Sequence, residues 1–156
     1  MTTGSAQGRT AVLRDYPLRL WALQNEYFDS LLRESSLLLV GQGPAGAHGL
    51  TPRLLEVARE LDGRFGGLLR TTDPVRQAAL EAGLDRIDVV MPLPDGAPEQ
   101  LEHVRVVLEE ADGFCRREEL LALPRTPELV AFGTWAGQEM VAQYGGAEPT
   151  PWPGPF

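Results

Sequence analysis

DYPLRLWALQNEYFDSLLRESSLLLV, residues 15–40, decides how the rest of the chain is read. Leu20, Leu23, Tyr27 and Leu31 recur at steps of three and four, which places them on one helical face. Trp21, Phe28, Leu32 and Leu39 form a second apolar strip beside it. Asp15 is placed to accept a backbone N–H at the helix start, and Pro17 falls in the first turn, where a missing N–H costs nothing. Gly41, Gly43 and Pro44 end the pattern. A helix with one neighbour needs a narrow stripe. This one is apolar over most of its circumference and is expected to be covered by several partners.

Further helices follow. Thr51-Pro52 and Thr126-Pro127 each offer a capping hydroxyl followed by a proline at the first helical position. The first opens a helix whose inner face is Leu54, Leu55, Val57, Ala58, Leu61 and Phe65. The second opens one carrying Leu129, Phe132, Ala136, Met140 and Tyr144, with Trp135 close by. Asp73-Pro74 starts a short helix that Gly83 can close. Pro98 opens another, with Leu101, Val104, Leu108, Ala111 and Cys115 in phase and Val107 and Phe114 adjoining. Residues 118–123 are read as its continuation or as a short helix before Pro124.

Two stretches do not fit a helix. Ile87, Val89, Val90 and Met91 have strand composition, but prolines follow at once and no second strand is evident nearby. The segment near 87–97 is therefore expected to be extended and packed over the helices. If it forms a strand, it is an edge strand or one that pairs with another molecule. The ending, AEPTPWPGPF, alternates Pro149, Pro151, Pro153 and Pro155 with other residues and is expected to be close to polyproline II. The expectation is an all-α domain, a bundle of four or five helices around the long first one. Residues 1–10 are expected to be disordered, 11–146 to form the helical domain and 147–156 a Pro/aromatic tail.

Composition narrows the function. The 156 residues suit one domain. A net charge of −8 opposes binding to nucleic acid or to an anionic membrane. All 14 basic residues are Arg, scattered rather than clustered. One cysteine excludes a disulfide within the chain, and a reducing cytoplasm is the expected compartment. The N-terminal residues have no apolar core of signal-peptide length, and no run reaches the ~18 apolar residues of a membrane span. Cys115 lies in phase with a buried face and reads as a core residue rather than a nucleophile. His48 and His103 read as solvated.

No motif for chemistry stands out. GQGPAG contains G-x-G but opens no βαβ unit. Two histidines and one cysteine far apart do not make a zinc site. No Gly-x-Ser-x-Gly is present, and Ser30, Ser35 and Ser36 have no evident base. Catalytic residues, metal and cofactor are all expected to be absent, so the expectation is not an enzyme.

Three segments, LRDYPLRLWALQNEYFDSLLRE (13–34), LDRIDVVMPLP (84–94) and PTPWPGPF (149–156), together resemble a group of small uncharacterised actinobacterial proteins. These are associated with regulatory modules of anti-sigma-factor kinases and STAS-domain antagonists. The resemblance implies a regulatory role and carries over no catalytic residue. The leading expectation is a non-enzymatic regulatory or protein-interaction protein that docks by its surface. Trp21, Phe28 and Leu32 on the first helix and Trp152 and Phe156 in the tail are the candidate contacts, with a homodimer expected if the helix strip is left open. The alternative is a sensor that holds a small apolar or aromatic ligand between helices, lined by Trp21, Tyr27, Trp135 and Tyr144.

Overall fold

The computed structural model describes residues 8–41, 51–64 and 73–155. Strand β1 (Arg9–Pro17) runs directly into the long helix α1 (Leu18–Val40). Helix α2 (Pro52–Arg59) continues into a π turn (Glu60–Arg64), and the short helix α3 (Pro74–Glu81) precedes strand β2 (Arg86–Leu93). Helices α4 (Ala97–Arg116) and α5 (Pro127–Tyr144) complete the described elements.

The protein is therefore helix-rich but not all-α. β1 and β2 form a two-stranded antiparallel sheet in which Arg9 faces Leu93, Val12 faces Val90 and Tyr16 faces Ile87. The extended segment after residue 85 does have a strand partner, and it lies in the same chain. Both strands alternate. Ala11 and Leu13 are buried while Arg14 is exposed; Val89 and Leu93 are buried while Asp88, Val90 and Pro92 face out. Pro92 is tolerated because each strand of a two-stranded sheet has an edge.

The sheet also corrects the start of the first helix. The register shifts between Leu13 and Tyr16, and Asp15 sits in that irregularity with φ of 53°. Its N–H is bonded by Asp88 Oδ1 at 3.0 Å. Asp15 is thus a bulge residue, one of the few types that tolerates this left-handed backbone. Pro17 occupies the cap position without a side-chain bond. The Leu18 N–H instead donates to Asp85 O at 3.0 Å, so the first turn is anchored by a distant backbone carbonyl. Arg9 and Thr10, expected to be disordered, belong to β1, while residues 1–7 lie outside the described set.

The other helix starts follow the sequence signals. Thr51 Oγ1 accepts from Leu54 N, Thr126 Oγ1 from Leu129 N, both at 3.3 Å, and Asp73 Oδ1 from Val75 N and Arg76 N. Gly83, with φ of 80°, closes α3. Residues 118–123 are not helical. Glu118 turns the chain with φ of 60°, and an irregular loop runs to Thr126.

Two hydrophobic clusters share α1 as a spine. Around its second half, Tyr27, Phe28, Leu31 and Leu32 pack with Leu54, Val57 and Leu61, with Val107, Leu108, Ala111, Phe114 and Cys115 of α4, and with Leu120. Around its first turns, Leu18, Leu20 and Trp21 pack with Leu13 and Tyr16 of β1, Val89 of β2, Leu129, Phe132 and Trp135 of α5, and Trp152. The tail folds back, with the Trp152 N–H donating to Arg14 O at 3.0 Å. His48, Phe65 and Phe156 lie outside the described residues. Among the described residues no helix is long and apolar enough to cross a membrane.

The sheet alternation is testable with two adjacent valines. Val89→Ala removes buried methyls and should cost about 2 kcal/mol, whereas Val90→Ala, at 63% exposure, should change stability by less than about 0.5 kcal/mol. Urea denaturation of both variants makes the comparison. Equal costs would mean that the two side chains do not face opposite sides.

Candidate functional site

The sequence-derived candidates are largely consumed by the fold. Trp21, Phe28, Leu32 and Trp152 are all buried within one copy of the chain, so the strip of α1 on which a dimer was conditional is already covered. The four aromatic residues expected to line a ligand pocket separate. Trp21 and Trp135 belong to one cluster and Tyr27 to the other, and Tyr144 packs at the edge of a third small group with Ala11, Leu93 and Ala97.

Tyr27 instead serves a buried polar hub. Its hydroxyl donates to Asp112 Oδ1 at 2.9 Å. The same oxygen accepts from Arg125 N at 3.1 Å, and Asp112 Oδ2 accepts from Arg125 Nε at 2.8 Å. The Asp112 and Arg125 side chains are only 5% and 8% exposed. A charge pair this deep is tolerated because the carboxylate is hydrogen-bonded on both oxygens. Burial, then the charge of Asp112 beside it, pushes the Tyr27 hydroxyl well above its ordinary range, so it remains a donor. Three parts of the chain, α1, the end of α4 and the loop before α5, are thereby joined at one carboxylate.

That loop is held at its centre as well. The Glu34 carboxylate of α1 accepts from the N–H groups of Leu121 and Ala122, the latter at 2.9 Å. Upstream, Glu119 N and Leu120 N bond back to Phe114 O, and the Leu120 side chain enters the core. With its backbone fixed at 119–122 and 125, the loop exposes Leu121 and Leu123, at 90% and 83%. Leu37 and Val40 are also exposed further along α1, where an open groove of about 530 Å³ is lined by Asp29, Leu32, Arg33, Ser36, Leu37 and Val40.

This display was not legible in the sequence. ELLALP reads as a helical continuation, and a local pattern of three leucines does not say which will be turned outward. The one available signal was excess: Leu120, Leu121 and Leu123 lie within four positions just before Pro124, more apolar surface than one short loop readily buries. Glu34, which fixes the outcome, lies 87 residues away from Leu121.

Near the sheet, Arg76 of α3 is buried. It approaches Asp73 at 3.0 Å and stacks over the Tyr16 and Trp21 rings at 5.0 and 5.8 Å. Burial pushes the Tyr16 hydroxyl up to about 12, with Arg76 opposing. His103 lies 3.1 Å from Glu60 Oε2. Among the described residues no group of three or more His, Cys, Asp or Glu is arranged to hold a metal ion. Cys115 is buried, and burial, reinforced by Asp112 and Glu34, pushes its thiol up to about 11.

No family model matches the chain, and no curated protein or solved structure does.

Two outcomes follow from the hub and its neighbour. Asp112→Ala strands the buried Arg125 cation and should destabilise by about 3–5 kcal/mol, against about 1–2 kcal/mol for Tyr27→Phe, as read by chemical denaturation. Cys115 should resist iodoacetamide at pH 8 until the protein unfolds. The unfolded chain gives up this thiol proton from about pH 9, while the folded chain holds it until about 11. The stabilisation is therefore complete below pH 9 and is lost as pH rises through that window. Cys115→Ala should remove that part of the alkaline loss. An unchanged pH profile for the variant would show that the thiol does not contribute.

Proposed function

We propose that the protein is a non-enzymatic regulatory protein that works by docking on a protein partner through the loop at 117–126. The observation that carries this reading is the outward display of Leu121 and Leu123 on a backbone pinned by Glu34 and Asp112. Single exposed apolar residues are ordinary, but two large ones two positions apart on a braced loop form the kind of apolar centre that partner surfaces cover. Pre-ordering matters because a loop already fixed loses little freedom on binding. The net charge of −8 favours a partner with a basic rim and disfavours a second copy of this chain. The resemblance noted from sequence makes a component of a regulatory module the partner to test first.

The experiment compares the protein with a Leu121→Asp/Leu123→Asp variant as bait for host proteins. Both side chains are exposed, so the variant should melt within a few degrees of the parent. A protein held by the parent, weakened as salt is raised, and reduced at least about tenfold with the variant is the expected result. Equal capture by both baits would sink this face as the docking site.

A further inference from the structure

The two edges of the sheet are finished differently. On the outer edge of β1, the Gln143 side chain bonds both Val12 N and Val12 O, at 2.8 and 2.9 Å, and Arg14 O accepts from Trp152 N. The Val12 backbone is thus turned away from β2. Residues that face each other across an antiparallel pair either exchange both bonds or exchange none. Val90 faces Val12, so the Val90 N–H and C=O are also turned away from the ladder, toward the outer edge of β2. Pro92 faces Thr10 in the same phase, and Asp88, two residues before Val90, lies opposite the bulge. Pro92 fits there because the N–H it lacks would point outward. Among the described residues, no hydrogen bond from outside the ladder reaches the Asp88, Val90 or Pro92 backbone. Their side chains are exposed as well.

We propose that this open edge of β2 is a docking site for an extended strand of a partner protein, one that sets an apolar residue opposite Val90 and an Arg or Lys opposite Asp88. Strand addition of this kind draws its affinity from main-chain hydrogen bonds and its specificity from alternate side chains. The edge offers the N–H and C=O of Asp88 and Val90 and the C=O of Pro92. The site is separate from the Leu121 face and does not depend on it.

Local charge selects the occupant. From residue 81 to residue 99 the chain carries Glu81, Asp85, Asp88, Asp95 and Glu99, all exposed, and Arg86 is the single basic residue. The Arg86 guanidinium is taken up by Trp152 O and Gly154 O. On β1, Arg9 is turned to the other edge, over the Tyr144 ring, and Arg14 lies in the bulge. A strand that arrives at β2 therefore enters an acidic border, and a basic residue opposite Asp88 completes a favourable cross-strand pair. The β2 of a second copy would bring the same carboxylates to that border. Charge and proline are also what keep an exposed edge from pairing indiscriminately. Here Asp88 rejects acidic strands, and Pro92, which offers an acceptor but no donor, restricts the register.

The test adds the acetylated and amidated peptide Thr-Tyr-Thr-Val-Thr-Arg-Thr to the isotope-labelled full chain. Paired antiparallel, its Val faces Val90, its Arg faces Asp88 and its Tyr faces Pro92. Saturable one-to-one binding is expected, with NMR shift changes centred on the Asp88 and Val90 amides. Hydrogen exchange of the Val90 amide should slow at least about tenfold. N-methylation of the peptide's Val removes the N–H that meets Val90 O and should weaken binding at least about tenfold. N-methylation of the Thr that follows it, whose N–H points away from β2, should cost less than about threefold. Replacing the peptide's Arg with Glu should weaken binding at least about fivefold. A folded chain that takes up no peptide overturns the proposal and leaves the edge simply blunted. Equal binding of the Val-methylated peptide overturns it as well, because ionic attraction alone then holds the peptide. So does a Val90 amide as protected in the free chain as that of Val89, since the edge is then covered from within. A concentration-dependent dimer that protects Val90 overturns it in favour of a second copy.

Discussion

The pairing of β1 with β2 is the constraint on which the other contacts of this half of the molecule depend. It joins segments far apart in sequence, Asp15 and Asp88 being 73 positions apart. Once formed, it fixes the first turn of α1 through the bond from Leu18 N to Asp85 O. It presents the outer edge of β1 to α5, where the Gln143 side-chain amide bonds both Val12 N and Val12 O at 2.8 and 2.9 Å. It also exposes Arg14 O to the tail. An unpaired strand edge is a liability, and here one side chain and one tail residue cover part of it.

The two clusters along α1 are stabilised differently. The one at the sheet is aromatic, with Tyr16, Phe132, Trp135 and Trp152 in edge-on, tilted and stacked contacts. Such contacts add a modest directional term to a large buried area. The one at the far end is mostly aliphatic and has the Asp112 hub at its margin. Apolar residues of the same volume could stabilise that position as well as the ion pair does. What the pair does in addition is specify geometry, because Tyr27, Arg125 and the loop backbone satisfy one carboxylate in one arrangement. The path of the chain that leaves Leu121 and Leu123 in solvent depends on it.

The leucine pair is an apolar surface on a braced loop. The loop is tied to α1 through Glu34 and Tyr27, so its display does not need the helix itself to move.

Helix positions were legible because their determinants are local. The hydroxyls of Thr51 and Thr126, the carboxylate of Asp73 and the left-handed Gly83 act within a few residues, and apolar spacing along 18–40 marks the long helix without knowledge of its neighbours. The phase of Cys115 with a buried face was legible for the same reason. The sheet was not, because a strand is defined by its partner. Arg9 to Arg14 carries a weak alternation that gains meaning only opposite Val89 to Leu93. Asp15 looked like a helix cap because its neighbours are helical in pattern, but the bulge that the pairing requires claimed it. Local pattern by itself determined where α2, α3 and α5 begin and which residues are apolar enough to be buried. Tertiary structure decided which apolar residues stay outside, since Glu34, Asp112 and Arg86 act across gaps in sequence through hydrogen bonds that no periodicity encodes.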